Sequence, residues 1–262
     1  MTKFSASLGF LWTELPLLDA IGAAARAGFD AVECHWPYDT PPNLVRAALD
    51  QHEIPMLGIN THRGDVIHGE NGLCALPHRK QAARAAIDQA LEYAVAINAA
   101  NIHVMAGQTD APSAHDTFLD NLDYAAACAA PHNITILIEP LNTYDAPGYF
   151  LTRTDQAVQI IQSLNHDNVK MMFDCYHVQR MQGDIIYQLG KYLPHIGHIQ
   201  FAAPPHRTAP HLGELNYSVI FAHLQDLGWS APLGAEYKPN GPTENSLSWM
   251  QSLKQGNTHN SE

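Results

Sequence analysis

The sequence has few cysteines and no arrangement of them that suits a cross-linked scaffold. Cys34, Cys74, Cys128 and Cys175 lie far apart without a C-x-x-C pair, a pattern expected of reduced thiols in a cytoplasmic protein. Basic residues are scarce as well: 14 Lys and Arg against 26 Asp and Glu leave a formal net charge of −12. A field of that sign repels polyanions, so nucleic acid is not an expected partner. No apolar run approaches the roughly 20 residues of a membrane span, so no membrane association is expected. Met1-Thr2-Lys3-Phe4-Ser5 leads directly into strand-like sequence without the regions of a signal peptide. A Gly-rich phosphate loop, a G-x-S-x-G elbow and a dinucleotide fingerprint are missing too. Their absence removes the commonest kinase, hydrolase and dehydrogenase readings and leaves no organic cofactor expected.

What is present is an alternation. Short apolar runs, Phe4–Leu8, Ala31–Trp36, Pro55–Asn60, Asn101–Ala106, Ile134–Leu141, Val169–Tyr176, His198–Ala202 and Leu233–Tyr237, read as strands. Longer segments, Leu15–Ala27, Pro42–Gln51, Arg79–Ile97, Thr117–Ala129, Thr154–Ser163, Asp184–Leu193, Tyr217–Leu227 and Glu244–Leu253, read as helices. Several carry apolar residues at i, i+3, i+4 spacing, as in Ala83, Ala86, Ile87, Ala90, Leu91 and Ala94. Gly28 and Gly228 are expected C-caps, and Pro42 and Thr154 mark helix starts. Eight βα units in 262 residues predict an α/β chain folded as a single (β/α)8 TIM barrel, whose usual length is about 250 residues. No repeat or linker divides it. Residues 1–254 are expected to form the catalytic barrel and 255–262 a frayed polar tail. The longer segments Thr61–His78 and Ala203–Asn216 follow the third and seventh strands, on the face where barrel active sites are built.

Four polar residues interrupt or end apolar strands: Glu139 in Ile138-Glu139-Pro140, Asp174 in Phe173-Asp174, Gln200 in Ile199-Gln200 and Glu236 in Ala235-Glu236. They stand 35, 26 and 36 residues apart, about one βα unit each. An isolated acid at a strand end is commonly solvated or caps the next helix. Four such residues in successive units weigh against that reading, because neighbouring strands of a closed barrel bring them to one side of the mouth. Three carboxylates there would repel one another unless a hard cation neutralised them. One divalent ion, Mg²⁺ or Mn²⁺, held by Glu139, Asp174, Gln200 and Glu236 is therefore expected.

These residues sit in segments that resemble the hydroxypyruvate isomerase family, within the xylose-isomerase-like barrels that also contain sugar epimerases and endonuclease IV. The carrying segments include Gly28-Phe29-Asp30-Ala31-Val32-Glu33, Gly72-Leu73-Cys74-Ala75-Leu76-Pro77, Ile138-Glu139-Pro140-Leu141-Asn142, Asp174-Cys175-Tyr176-His177-Val178-Gln179, Gly197-His198-Ile199-Gln200, Gly213-Glu214-Leu215-Asn216-Tyr217 and Glu236-Tyr237-Lys238-Pro239. The resemblance covers nearly the whole chain. It implies an isomerase that interconverts hydroxypyruvate and tartronate semialdehyde through an enediolate, with the same four residues on the metal and Glu139 and Glu236 also moving protons. Which glutamate acts first is left open. His35-Trp36, Thr61-His62-Arg63-Gly64-Asp65-Val66 and Ala203-Pro204-Pro205-His206-Arg207-Thr208 depart from the family pattern, so the substrate can differ while the chemistry is kept.

His177 matches a family position that hydrogen-bonds a substrate oxygen, and is otherwise a satisfied loop residue. Arg207 is a candidate for the substrate carboxylate or a surface charge, and His62 and Lys238 are further candidates for the anionic end. Glu214 is expected to order its loop, and Phe10, Trp12 and Trp36 to wall the pocket. Two alternatives keep the same site: an isomerase of 2-oxo-tetronates, or a ketose epimerase. Two others change the class. A DNA-repair endonuclease needs a richer His cluster and a basic face; a non-catalytic sugar-acid-binding barrel is disfavoured by the presence of both glutamates. The expected partner is a small hydroxy or oxo acid, with self-association open.

Overall fold

The computed structural model describes residues 2–254; the predicted polar tail, 255–262, lies outside the described residues. Eight parallel strands close in sequential order: β1 Phe4–Ser7, β2 Ala31–Cys34, β3 Met56–Asn60, β4 Asn101–His103, β5 Thr135–Ile138, β6 Val169–Asp174, β7 Ile196–Phe201 and β8 Leu233–Ala235. The ring is completed by β8 pairing with β1, with Ser5 opposite Gly234. Between and after the strands run α1 Leu17–Arg26, α2 Pro42–Gln51, α3 Lys80–Ile97, α4 Ala114–Ala129, α5 Thr154–Leu164, α6 Cys175–Met181, α7 Ile185–Tyr192, α8 Tyr217–Asp226 and α9 Trp249–Lys254. No helix among the described residues is long and apolar enough to cross a membrane, and all four cysteines are free. The predicted TIM barrel is the observed fold.

Local chemistry accounts for several boundaries. Pro42 occupies the first turn of α2, where its missing N–H costs nothing. Gly28 and Gly228 follow α1 and α8 with φ of +86° and +83°, the left-handed conformation that glycine adopts without a Cβ penalty. The strands are shorter than their apolar runs because the mouth residues leave the ladder. Thus β5 ends at Ile138, one residue before Glu139, and β8 at Ala235, one residue before Glu236. The predicted last helix breaks into a 3₁₀ turn, Thr243–Ser246, and α9.

Side-chain alternation sorts the barrel into two environments. Outward residues are apolar and meet the helices: Phe4 and Phe201 pack on Phe221 of α8 and Trp249 of α9, with ring centroids 5.1–5.6 Å apart. Each fully buried side chain of that size contributes roughly 1.5–3 kcal/mol. Inward residues of β1, β2 and β7 are polar. Ser5, Ser7, Glu33, His198 and Gln200 are all buried, where many barrels stack branched aliphatics.

Candidate active site at the barrel mouth

The polar interior begins with a closed network. Glu33 on β2 accepts from Ser5 Oγ at 2.7 Å, from His198 Nε2 at 3.0 Å and from Gln200 Nε2 at 2.7 Å. Burial raises the Glu33 pKa, but the charge and hydrogen bond of His198 outweigh it and hold the carboxyl below its usual range. Burial likewise opposes the charged form of His198, and Glu33 outweighs it, raising the imidazole. This pair is a buried ion pair. Beside it, inside the barrel, lies a cavity of about 20 Å³ whose lining includes Glu33, Asn101, His103, His198 and Gln200, the room of a single water.

One level higher stand the four residues predicted to hold a metal; Glu139 and Asp174 belong, with His177, to one group of ligand atoms within 4.8 Å of one another, and Arg207 stands between Asp174 and Glu236. Asp174 and Gln200 are paired in register across β6 and β7, and Gln200 Nε2 donates to Glu236 Oε1 at 3.2 Å. Both amide protons of Gln200 thus point at carboxylates, which fixes the amide orientation and leaves Oε1 buried without a partner. Glu139 Oε1 is also buried and without a hydrogen-bond partner among the described residues, as are both ring nitrogens of His103. Burial, then the charges of Glu236 and Asp174, push the Glu139 pKa well up. Burial pushes Asp174 up to about 7, against the opposing charge of Arg207. Glu236 is the exception: Arg207 and His35 overcome its burial and hold it low.

Asp174 takes the capping role open to it in the sequence and still presents a carboxylate oxygen to the site. Its Oδ1 accepts from Tyr176 N at 2.8 Å and caps α6, while Oδ2 faces the site. That helix was not anticipated: Val169–Tyr176 was expected as one strand, but the cap starts α6 at Cys175, immediately after β6. The consequence is that His177 sits on the first turn of α6, buried among the acids.

The protonation of His177 follows from its neighbours. Asn142 Oδ1 accepts from the backbone N–H groups of Tyr144 and Asp145 at 3.1 and 3.0 Å, so its amide nitrogen faces the imidazole. His177 Nδ1 then accepts from Asn142 N at 3.0 Å and Nδ2 at 2.7 Å. Burial, then the charge of Arg207, lowers the His177 pKa well below its ordinary value, so the ring is neutral and carries its proton on Nε2. Nε2 lies 3.6 Å from Asp174 Oδ2 and 3.9 Å from Glu139 Oε1. Glu139, Asp174 and His177 each offer one ligand atom within 4.8 Å of one another. An Nε2–H is nonetheless a donor, so the tautomer favours the oxygen set with Gln200 and Glu236 over a histidine ligand.

Arg207 lies between two of the acids. Its Nη2 donates to Asp174 Oδ2 at 3.2 Å and to Glu236 Oε2, and its guanidinium stacks on Phe10 and Tyr176 at 4.5 and 5.0 Å. The loop after β7 folds back through a bridge between Ala203 and Thr208, with Arg207 itself at φ +54°. His35 Nε2 donates to Glu236 Oε1 at 2.8 Å from β2's end.

The mouth opens as a cavity of about 320 Å³ whose lining includes Phe10, Trp36, Arg63, Glu139, His177, Arg207 and Glu236. His62 and Lys238 are exposed and do not line it; His62 Nδ1 accepts from Gly64 N at 3.0 Å, and Lys238 touches the site region through its backbone bond to Arg207 O. Phe10 and Trp36 wall the mouth as expected, whereas Trp12 is in the core, donating to Glu244. Glu214 is exposed and accepts from Gln179 at 3.2 Å. Sequence reasoning passed over Arg63, His35, His103 and Asn142. Arg63 and His35 both sat in segments already singled out for departing from the family pattern, and that was the usable signal.

With this geometry in view, the model of the xylose isomerase-like TIM barrel family matches residues 21–253. The chain belongs to that family. It is 42% identical over 255 residues to a 2-oxo-tetronate isomerase of Cupriavidus necator, covering 96% of this chain and 98% of the relative. It is 35% identical over 254 residues to the hydroxypyruvate isomerase of Escherichia coli, covering 95% and 98%. A crystal structure of an AP endonuclease, family 2, from Brucella melitensis superposes with TM-score 0.93 at 38% identity, covering 96% of this chain and 99% of that one. The chain is thus an isomerase of the hydroxypyruvate isomerase group, as its motifs imply.

Proposed function

We propose that this isomerase depends on a divalent metal and acts on short 2-oxo acids bearing a neighbouring hydroxyl, moving hydrogen between adjacent carbons. The observation that carries the reading is the burial of Glu139, Asp174 and Glu236 together, with Glu139 Oε1 and Gln200 Oε1 unpartnered among the described residues. A buried acceptor left unsatisfied costs about 1–3 kcal/mol, and adjacent buried acids destabilise one another's charge. A hard cation relieves both, so the donors fit Mg²⁺ or Mn²⁺. Glu139, Asp174, Gln200 and Glu236 would hold it, and when bound it supplies positive charge opposite the oxygens of an enediolate.

The remaining chemistry belongs to the chain. One of Glu139 and Glu236 takes a proton from the carbon bearing the hydroxyl, leaving its electron pair in the new carbon–carbon double bond of the enediolate. The other returns a proton to the former carbonyl carbon, and the roles exchange in the reverse direction. The hydroxyl proton passes between the two neighbouring oxygens, so no oxidant is needed. His177 Nε2–H donates to a substrate oxygen. Arg207, already between Asp174 and Glu236, keeps Glu236 ionised and in place.

The family motifs point to hydroxypyruvate, the three-carbon substrate. One observation favours the four-carbon homologue, a 2-oxo-tetronate: the relative at 42% identity carries that activity in its name. A nuclease reading meets a net charge of −12, which repels its substrate. The deciding experiment is a coupled assay of metal-stripped protein with and without added Mg²⁺ or Mn²⁺, on hydroxypyruvate, tartronate semialdehyde and 2-oxo-tetronates. Metal-restored turnover, fastest on the four-carbon acid, is expected; metal-independent turnover or none on either acid contradicts the reading.

A further inference from the structure

A 2-oxo acid brings a carboxylate into the mouth, and most cations near it are already engaged. Arg207 is matched by two acids, while His62 and Lys238 do not line the cavity. Arg63, in the loop after β3, does. Its guanidinium lies 4.7 Å from the centroid of the Trp36 ring, and that ring is itself held by Trp36 Nε1 donating to Thr61 O at 3.1 Å. Arg63 Nε donates to Asn71 Oδ1 at 2.8 Å, and Arg63 O accepts from Gly72 N at 2.8 Å. These contacts fix the plane of the guanidinium and leave both terminal nitrogens without a partner among the described residues. Burial lowers the Arg63 pKa, with no carboxylate close enough to oppose it.

The loop is set by close packing. A Cβ on Gly72, which has φ +109°, would lie 2.7 Å from Gly107 N and Met105 O, so the segment carrying Asn71 is seated against the backbone after β4. A stacked, oriented arginine with two free parallel donors is the geometry that captures a carboxylate in a bidentate fashion.

We infer that Arg63, on its Trp36 platform, is the carboxylate-binding residue of the mouth and selects acids over neutral ketoses of the same length. This inference rests on the proposed 2-oxo acid reading. Arg63 touches the substrate's anionic end, in the cavity that Glu139 and Glu236 also line, and sets where the reacting carbons stop.

The test compares wild type with Arg63→Gln and Arg63→Lys, each loaded with Mg²⁺ or Mn²⁺, on 2-oxo-tetronate, on hydroxypyruvate and on the neutral ketose erythrulose. Tartronate binding is followed by calorimetry alongside. Loss of a charge-assisted contact predicts a KM for the acids about ten- to hundredfold higher in Arg63→Gln, with a smaller change in kcat. Tartronate should weaken in proportion, Arg63→Lys should recover part of the loss, and kcat/KM for erythrulose should fall at least tenfold less than for the acids. Wild-type turnover of acids with a KM unchanged in Arg63→Gln overturns the role of Arg63 alone. Wild-type turnover of erythrulose but of neither acid, with no tartronate binding, overturns the acid reading and this inference together.

Discussion

The barrel encloses two polar layers that differ in how far they are satisfied. In the deeper one, Glu33, His198, Ser5 and the amide nitrogen of Gln200 meet each other's charges and protons. At the mouth, Arg207 bridges Asp174 and Glu236, while Glu139 Oε1, Gln200 Oε1 and both nitrogens of His103 have no partner among the described residues. Gln200 belongs to both: its nitrogen donates to Glu33 below and to Glu236 above, and its oxygen has no partner among the described residues. Burial is common to the two layers, so burial alone does not mark a site. What distinguishes the mouth is buried polarity left unsatisfied among the described residues, and such polarity costs stability that the proposed cation and substrate would recover on binding.

The sharpest way to break this contrast is at the two glutamates proposed to transfer protons. Glu139→Gln and Glu236→Gln are each expected to lower kcat by about 10²–10⁴-fold. Glu139→Gln also removes a charge that burial disfavours, so its Tm without metal should equal or exceed that of wild type. A Glu139→Gln enzyme with near-normal turnover, or one that melts like a core mutant, would put Glu139 with the structural layer.

The deeper layer should behave in the opposite way. Glu33→Ala leaves His198 buried without its counter-charge, and removing one member of a buried pair costs about 3–5 kcal/mol. Urea denaturation should show that loss, whereas a cost below about 1 kcal/mol would mean that the pair is not structural.

A smaller effect is the pH dependence of that same difference. Glu33 is held low, so its contribution is present above its unfolded value of about 4.3 and is lost as pH falls through its folded pKa. His198 is raised, so its contribution is complete below about 6.5 and is lost as pH rises through its folded pKa. The stability gap between wild type and Glu33→Ala should therefore be widest between about pH 4.3 and 6.5 and narrower at alkaline pH. A gap that grows steadily above pH 7 would contradict the assignment.

The mouth layer was largely legible in the sequence, and the deeper layer was not. Glu139, Asp174, Gln200 and Glu236 each interrupt an apolar strand at intervals of about one βα unit, and closure of a parallel barrel turns that spacing into proximity. The partners of these residues leave no such trace. His35 and Glu236 are 201 residues apart in the chain and His198 and Glu33 are 165 apart, and no local period encodes a contact across the barrel. Arg207 reaches Asp174 and Glu236 only through the conformation of the loop after β7. Helix α6 was hidden because Asp174 ends a strand and caps a helix with no intervening turn, so the apolar run continues through Tyr176 and Val178. His177 owes its place to that junction and its tautomer to Asn142.

The most direct test of the account is equilibrium Mn²⁺ binding to metal-stripped protein, read from the loss of the free-ion electron paramagnetic resonance signal, in wild type, Asp174→Asn and Arg63→Gln. One ion per chain is predicted for wild type and for Arg63→Gln, with affinity at least tenfold weaker in Asp174→Asn. No binding by wild type, or binding indifferent to Asp174, would contradict the claim that the unsatisfied layer at the mouth is a metal site.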